Sequence, residues 1–360
     1  NPLHEECLLH ELIELIGSLL YYKHSGVMQL GKTIQLITKP DGGIIKHLVK
    51  LRESKPYRER TSRCVVQSDL RLLKELVYHS AFHPDHESES DLAAQHTIPK
   101  KIAFYSNGDQ DEIQNLVVQL PKTHQFVCLT HEGFLKKVTG LQNIDPNNCF
   151  VVEVAKPPER PILMPEEISE KIAEGKQEQG PDYRPNFRQD PPPSFVVVNQ
   201  LQDPGNVGNL LRCCVGFGFK HVFFVNGSAD GFNEKVLRAS RGALLLRDQE
   251  KRAVLSYECG DLERLFTIAK GYNMPIYVSD TEGISPPLDT ISNTEASEGK
   301  KIVVMNNEAS GISENDREQL QHAQAKFVHI PMSPYCKSLN VASAAAVMLY
   351  SLRDNVVTKE

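Results

Sequence analysis

No stretch of this 360-residue sequence is apolar for long enough to cross a membrane. The longest apolar region near the start, Cys7 to Tyr22, is interrupted by His10, Glu11 and Glu14. It reads as an amphipathic helix rather than a span or a signal segment. Cysteine pairs with metal-ligand spacing are absent too: the eight cysteines are scattered, only Cys213 and Cys214 are adjacent, and no C-x-x-C motif occurs. This predicts no metal site, and the cysteines read as reduced thiols in a protein that is not secreted. Positive charge is not in excess. The net charge is −6, so a nucleic-acid-binding function has to reside in a local patch. The sequence starts at Asn1 without a methionine, which leaves room for a removed presequence.

What is present fits a two-domain globular chain, 40% hydrophobic and 24% charged. Residues 1–43 read as a helical N-terminal extension ending in the loop Pro40-Asp-Gly-Gly43. Residues 44–156 then alternate as a small α/β domain. Strands are predicted at Arg63–Gln67, Lys101–Tyr105, Gln125–Leu129 and Cys149–Val154, and helices at Leu70–Ser80, Ile113–Leu120 and Glu132–Gly140. His83–Gln95 reads as an acidic, disordered insertion. The domain opens on the most basic stretch of the sequence, carrying Lys46, Lys50, Arg52, Lys55, Arg58, Arg60 and Arg63 against only Glu53 and Glu59. An isolated charge run is most simply a solvated helix face; at the head of this domain it becomes the candidate RNA-binding surface. Residues 157–193 hold nine prolines among charged residues and form a linker, with one short helix at Pro165–Gly175.

Residues 194–360 alternate more regularly. Continuous apolar strands at Ser194–Asn199, His221–Val225, Pro275–Val278, Lys301–Met305 and Lys326–Ile330 are separated by helices at Val207–Phe217, Lys235–Ser240, Asp261–Lys270, Glu314–Gln321 and Asn340–Arg353. Such strands imply a parallel sheet covered on both faces. Three of them end in polar loops. Phe195–Asn199 runs into Gln-Leu-Gln-Asp-Pro-Gly-Asn-Val-Gly, Ile302–Met305 into Asn-Asn-Glu-Ala-Ser-Gly, and Phe327–Ile330 into Pro-Met-Ser-Pro-Tyr-Cys-Lys-Ser-Leu-Asn. Pro331 and Pro334 forbid continuation of the last strand, and Ser338 or Asn340 can cap the helix behind it. The three loops would meet at one edge of the sheet, where ligands of α/β folds bind.

These blocks resemble the signature of the SpoU (TrmH-like) branch of the SPOUT RNA 2′-O-ribose methyltransferases. The residues are Asp203, Asn206, Gly208 and Arg212; then Glu308, Gly311 and Ile312; then Ile330, Pro331, Met332, Ser338, Leu339, Asn340 and Val341. Lys235–Ala243 resembles the intermediate helix and turn of that family. The resemblance implies a C-terminal trefoil-knot domain around the parallel sheet. More loosely, it likens the N-terminal domain to a ribosomal-protein-like substrate-binding domain. It also implies S-adenosyl-L-methionine as cofactor, held through the backbone near Asn306, Gly311, Ile330, Met332 and Leu339.

A ribose hydroxyl is a poor nucleophile near neutral pH, so the site needs a cation or base beside it. The resemblance points to Arg212, here an orienting donor and oxyanion clamp because a guanidinium hardly loses its proton. Asn206, Glu308, Ser338 and Asn340 complete the implied catalytic set. Two positions depart from the family: Asn306 and Pro334 both stand where it has glycine. Two functions therefore stay open. One is methylation of ribosomal RNA, with transfer RNA as the other substrate; the second is a catalytically silent RNA-binding factor in ribosome large-subunit assembly. SpoU proteins are typically dimers, which implies a homodimer, or a heterodimer with a related chain, through the Leu210, Leu211, Val215 and Phe217 face and the Ala342, Ala345 and Ala346 face. A looser likeness to mitochondrial ribosomal-RNA members places the chain in mitochondria, and otherwise in the cytoplasm.

Overall fold

The computed structural model describes residues 34–39, 42–81, 101–105, 125–129, 131–145, 148–157, 160–161, 194–248, 251–252, 254–280, 285–291, 300–307 and 311–354. The chain divides into two compact units, Asn1–Lys156 and Pro157–Glu360.

The first unit is built on a five-stranded sheet in the order β1-β4-β3-β5-β2. Its strands are β1 (Ile34–Ile37), β2 (Arg63–Ser68), β3 (Lys101–Tyr105), β4 (Gln125–Leu129) and β5 (Phe150–Ala155). The first three in the order are parallel, and β5 runs antiparallel to both its neighbours. Helices α1 (Gly43–Glu53), α2 (Lys55–Thr61), α3 (Leu70–Ala81) and α4 (Glu132–Thr139) complete it. β1 falls in residues read above as helical extension. Four residues are too few to show a period, and this strand is specified by pairing with β4 rather than by its own pattern. The expected helix at 113–120 and the insertion at 83–95 lie outside the described residues.

The basic stretch splits into two roles. Ile45, Leu48 and Leu51 bury the inner face of α1, which leaves Lys46 and Lys50 outward, and Lys55 and Arg60 are exposed on α2. Arg58 is only 2% exposed and donates to the Leu51 and Arg52 carbonyls at 2.8 and 3.1 Å, satisfying the C-terminal end of α1. Arg52 does the same for α4, reaching the Lys137 and Val138 carbonyls at 2.9 and 2.8 Å. Arg63 contacts the buried carboxylate of Glu153 at 3.3 Å, which His47 and Lys101 also approach, at 3.3 and 3.2 Å. Arg52, Arg58 and Arg63 are thus committed inside the unit and are not a free RNA-binding face; Lys46, Lys50, Lys55 and Arg60 are the exposed cations of the stretch, with Lys55 paired to Glu59 at 3.7 Å. Sequence alone counts charges but not which end of a neighbouring helix needs a donor.

The second unit holds a seven-stranded sheet, parallel throughout, in the order β14-β12-β13-β7-β8-β11-β6. Its strands are β6 (Arg160–Pro161), β7 (Phe195–Asn199), β8 (His221–Val225), β11 (Leu255–Gly260), β12 (Ile276–Ser279), β13 (Ile302–Asn306) and β14 (Lys326–Val328); β9 (Arg247–Asp248) and β10 (Lys251–Arg252) form a small separate hairpin. All five predicted strands are present. β11 was not anticipated, and β6 lies within the residues read as linker, where a proline suits a sheet edge.

Alternate residues of the strands, Phe195, Val197, Ile302 and Val304 among them, bury one face against α7 (Glu263–Tyr272) and α8 (Glu314–His322). The other helices are α5 (Pro204–Phe217), α6 (Glu234–Ala239) and α9 (Val341–Ser351). α5 packs against both α6 and α9, and α9 reaches β13. The α5–α6 contact depends on Gly208: a Cβ there would sit 2.6 Å from the Ala239 Cβ and 2.7 Å from the Val236 carbonyl oxygen. α9 is fixed at its far end by Lys301, 0% exposed, whose Nζ donates to Asp354 at 2.8 Å and to the Leu352 carbonyl at 3.1 Å.

Candidate functional site

All seven strands point the same way, so their carboxyl ends share one edge. There the polar residues of β7 and β13 meet. Asn199 and Asn306 are register partners, and the Asn199 carboxamide donates to the Asn306 side-chain oxygen at 3.0 Å. Asn306 in turn donates to the Ser279 carbonyl of β12 at 3.3 Å, and Asn307 to the Gln200 carbonyl at 3.1 Å. Asp316 at the start of α8 accepts from both Asn199 and Gln200, at 3.3 and 3.2 Å. Gln200 has φ +54°, an uncommon value for a residue with a side chain, and these bonds at both its ends hold it there. The result is a polar clasp across three strand ends.

Beside the clasp opens a pocket with about 780 Å³ of empty space, continuous with solvent. Its walls come from the ends of β12 (Ser279, Asp280), β13 (Met305, Asn306, Asn307) and β14 (Val328, Ile330), and from α9 (Val341, Ala344, Met348). All five residues expected near the cofactor, Asn306, Gly311, Ile330, Met332 and Leu339, line this one pocket. Gly311 has φ +64°, the left-handed region that favours glycine, where its N–H closes on the Asn307 carbonyl at 2.9 Å.

Both glycine replacements are accommodated by the local backbone. The Asn306 backbone does not enter the left-handed region, and its side chain is absorbed into the clasp. Pro334 sits second in the turn Ser333–Cys336, closed by the Cys336 N–H on the Ser333 carbonyl at 2.9 Å; that turn position suits proline's fixed φ and needs no donor from it.

The catalytic candidates lie on α5 and on the loop that leads into α9. The Asp203 carboxylate caps α5 by accepting from the Asn206 N–H at 2.8 Å. Asn340 caps α9 by accepting from the Ala342 N–H at 2.9 Å, and its Nδ2 donates to the Asn206 Oδ1 at the same distance. Leu339, between the exposed Ser338 and Asn340, lines the pocket. Arg212 lies one turn beyond Gly208 on α5, exposed, not among the pocket-lining residues, and with no ion-pair partner among the described residues. Glu308 lies outside the described residues. Burial raises the pKa of both neighbouring thiols, Cys213 and Cys214, with the Arg212 charge opposing it at Cys213, which disfavours their thiolates.

Two pocket residues escaped the sequence reading. Among the described residues Asp280 and Arg317 are the charged side chains of the lining, paired at 3.3 Å, and Ser285 also donates to Asp280. The Arg317 guanidinium lies over the Phe327 ring at 5.1 Å. Asp280 directly follows an apolar strand, a signal available in sequence; Arg317 sits in a helix that is polar except for the buried Leu320 and gave none. Among the described residues no cluster could hold a metal ion.

Comparison with known proteins agrees with this geometry. The chain is 32% identical over 170 residues to an uncharacterized tRNA/rRNA methyltransferase of Synechocystis, covering 46% of this chain and 56% of that one. To the mitochondrial rRNA methyltransferase 3 of Xenopus laevis it is 28% identical over 201 residues, 44% of this chain and 47% of that one. It therefore spans about half the length of these curated relatives. Two solved folds align over nearly the whole chain. The AdoMet-bound rRNA methyltransferase of Sinorhizobium meliloti has a TM-score of 0.58 at 18% identity, covering 89% of this chain and 97% of that one. The SpoU methyltransferase AviRb of Streptomyces viridochromogenes, in complex with AdoMet, has a TM-score of 0.57 at 16% identity, covering 86% and 97%. The SpoU rRNA Methylase family model matches residues 193–350. These residues carry the clasp, the pocket and all three loops, and over them the chain is similar to the SpoU rRNA Methylase family.

Proposed function

We propose that the chain is an S-adenosylmethionine-dependent 2′-O-ribose methyltransferase acting on ribosomal RNA. One observation carries the reading: every residue expected near the cofactor lines a single pocket at the carboxyl edge of the parallel sheet. The lining suits the cofactor. Ile312, Ile330, Leu339, Val341 and Met348 offer an apolar wall for adenine, while Ser279, Asp280 and Asn307 offer polar groups for ribose and amino acid. Bound there, S-adenosylmethionine supplies a methyl group already activated by its sulfonium. Arg212 orients the acceptor ribose and stabilises charge developing on its 2′ oxygen, and the Asn206–Asn340 bond fixes the helix that carries Arg212 against the loop that walls the pocket. Lys46, Lys50, Lys55 and Arg60 supply the charge that holds the RNA backbone.

Three further parts belong to the same reading. The segment after β14 runs along the β12–β13 connection, where the His329 backbone donates to the Pro286 carbonyl and accepts from the Leu288 N–H, and this contact supports a trefoil knot. Val215, Val347 and Tyr350 stay 39%, 39% and 55% exposed on the packed pair α5 and α9, with Phe217 edge-on to Tyr350 at 5.8 Å, and that face supports a dimer. The mitochondrial relative supports a mitochondrial place for the chain. The silent assembly-factor alternative drew on Asn306 and Pro334, and the accommodation of both residues favours the active form. Calorimetry with S-adenosylmethionine and S-adenosylhomocysteine tests the reading: binding of both at one site per chain supports it, and no heat at millimolar ligand overturns it.

A further inference from the structure

The loop between β14 and α9 carries one large side chain that neither the pocket nor the clasp uses. Tyr335 is 98% exposed. A single exposed aromatic is ordinary on a protein surface, but three features set this one apart. Met332 and Leu339, three residues before and four after it, line the pocket, so the loop that carries the ring is one that walls the pocket. The backbone beneath it is fixed, by the Ser333–Cys336 turn on one side and by the Asn340 bond to Asn206 on the other. The exposed Lys337 lies two residues on, and Arg212 is exposed on the helix to which the loop is tied; among the described residues neither makes an ion pair.

An open aromatic face on a fixed, pocket-walling loop, with one exposed cation on that loop and another on the helix to which it is tied, suits an unpaired nucleotide. Its base stacks on the ring while its phosphates meet the cations. We propose that Tyr335 is the stacking platform for an unpaired base of the RNA at or next to the nucleotide whose ribose is methylated. The inference rests on the methyl-transfer reading and adds to it a substrate class: single-stranded or loop RNA rather than continuous duplex. The charge beside the ring favours RNA over a second copy of the chain, which would have to bury Lys337.

Fluorescence anisotropy with a short labelled RNA hairpin and the matching duplex tests this on the whole chain. Tyr335→Ala is expected to weaken hairpin binding roughly tenfold, the order of one lost base–aromatic stack. Tyr335→Phe and Tyr335→Trp should bind like the wild type, and duplex binding should not change. S-adenosylhomocysteine affinity by calorimetry and mass by light scattering should stay the same in all three. The proposal is overturned if Tyr335→Ala binds the hairpin as the wild type does, or if Tyr335→Phe is equally weak. A matching loss of cofactor affinity would make the ring a pocket wall, and a change in mass would make it a chain–chain contact; either also overturns it. A wild-type chain that binds hairpin but no cofactor sinks the methyl-transfer reading, and the Tyr335 comparison still decides the stacking.

Discussion

The Asn340 side chain holds two helices at once: its oxygen caps α9 at the Ala342 N–H, and its nitrogen donates to Asn206 at the start of α5, both at 2.9 Å. These roles separate by substitution. Asn340→Ser keeps a capping oxygen but cannot reach Asn206, so stability should fall by under about 0.5 kcal/mol while methyl transfer falls severalfold. Asn340→Ala should lose both, with a stability cost of about 1 kcal/mol. Urea unfolding and initial rates check this; equal activity in the serine variant and the wild type would remove the bridge from the site.

Gly208→Ala sets two effects against each other. Helix propensity favours alanine by about 1 kcal/mol. The added Cβ, 2.6 Å from the Ala239 Cβ with backbone 2.7 Å away, costs about 1–3 kcal/mol because no flexible side chain can yield. The clash should win. A net loss in chemical denaturation is expected, and a stabilised variant would show that α5 and α6 do not approach this closely.

Asn306→Gly restores the residue type that the family resemblance implies. It removes the bonds to Asn199 and to the Ser279 carbonyl and places glycine in a strand, so stability should drop by about 1–3 kcal/mol. Cofactor affinity should not improve. A tenfold tighter calorimetric constant would mean that the Asn306 side chain obstructs the pocket, the silent-factor reading.

Acid should loosen the first unit through Glu153. Burial pushes this carboxyl up, but the contact with His47 and the charge of Lys101 outweigh it, and its pKa lies below the ordinary glutamate value of 4.5. A depressed carboxyl contributes stability that is full above its unfolded value and is lost as pH falls through the folded one. Stability followed by circular dichroism should therefore fall below about pH 5. In Glu153→Gln this dependence should shrink, with a cost near neutrality of about 3–5 kcal/mol from the uncompensated cations. An unchanged pH dependence in the variant would assign the acid loss elsewhere; Asp354, lowered by Lys301 and Lys300 against its own burial, is the other candidate.

The strands of the second unit were legible because a fully buried parallel strand is written as an unbroken apolar run, as in Phe195-Val-Val-Val and Ile302-Val-Val-Met. β1, β6 and β11 were not. Two are too short to carry a pattern, and Leu255-Ser-Tyr-Glu-Cys-Gly alternates with polar residues. The residues that line the pocket were legible as a group because their loops carry a recognisable order. The Asp280–Arg317 pair joins residues 37 apart, and the Glu153 cluster joins positions on α1, β2, β3 and β5. Contacts of that kind exist only once the sheets are assembled, and for the same reason Arg52, Arg58 and Arg63 looked like surface charge.

The most direct measurement is transfer of a labelled methyl group from S-adenosylmethionine to ribosomal RNA by the wild-type chain and by Arg212→Ala, with cofactor affinity measured on both. The account predicts label recovered as a 2′-O-methylated nucleoside from the wild type. It predicts a loss of about a hundredfold or more in the variant, the scale of one missing oxyanion donor, at unchanged cofactor affinity. Undiminished transfer by Arg212→Ala, or a wild-type chain that binds the cofactor and methylates no RNA, would contradict it.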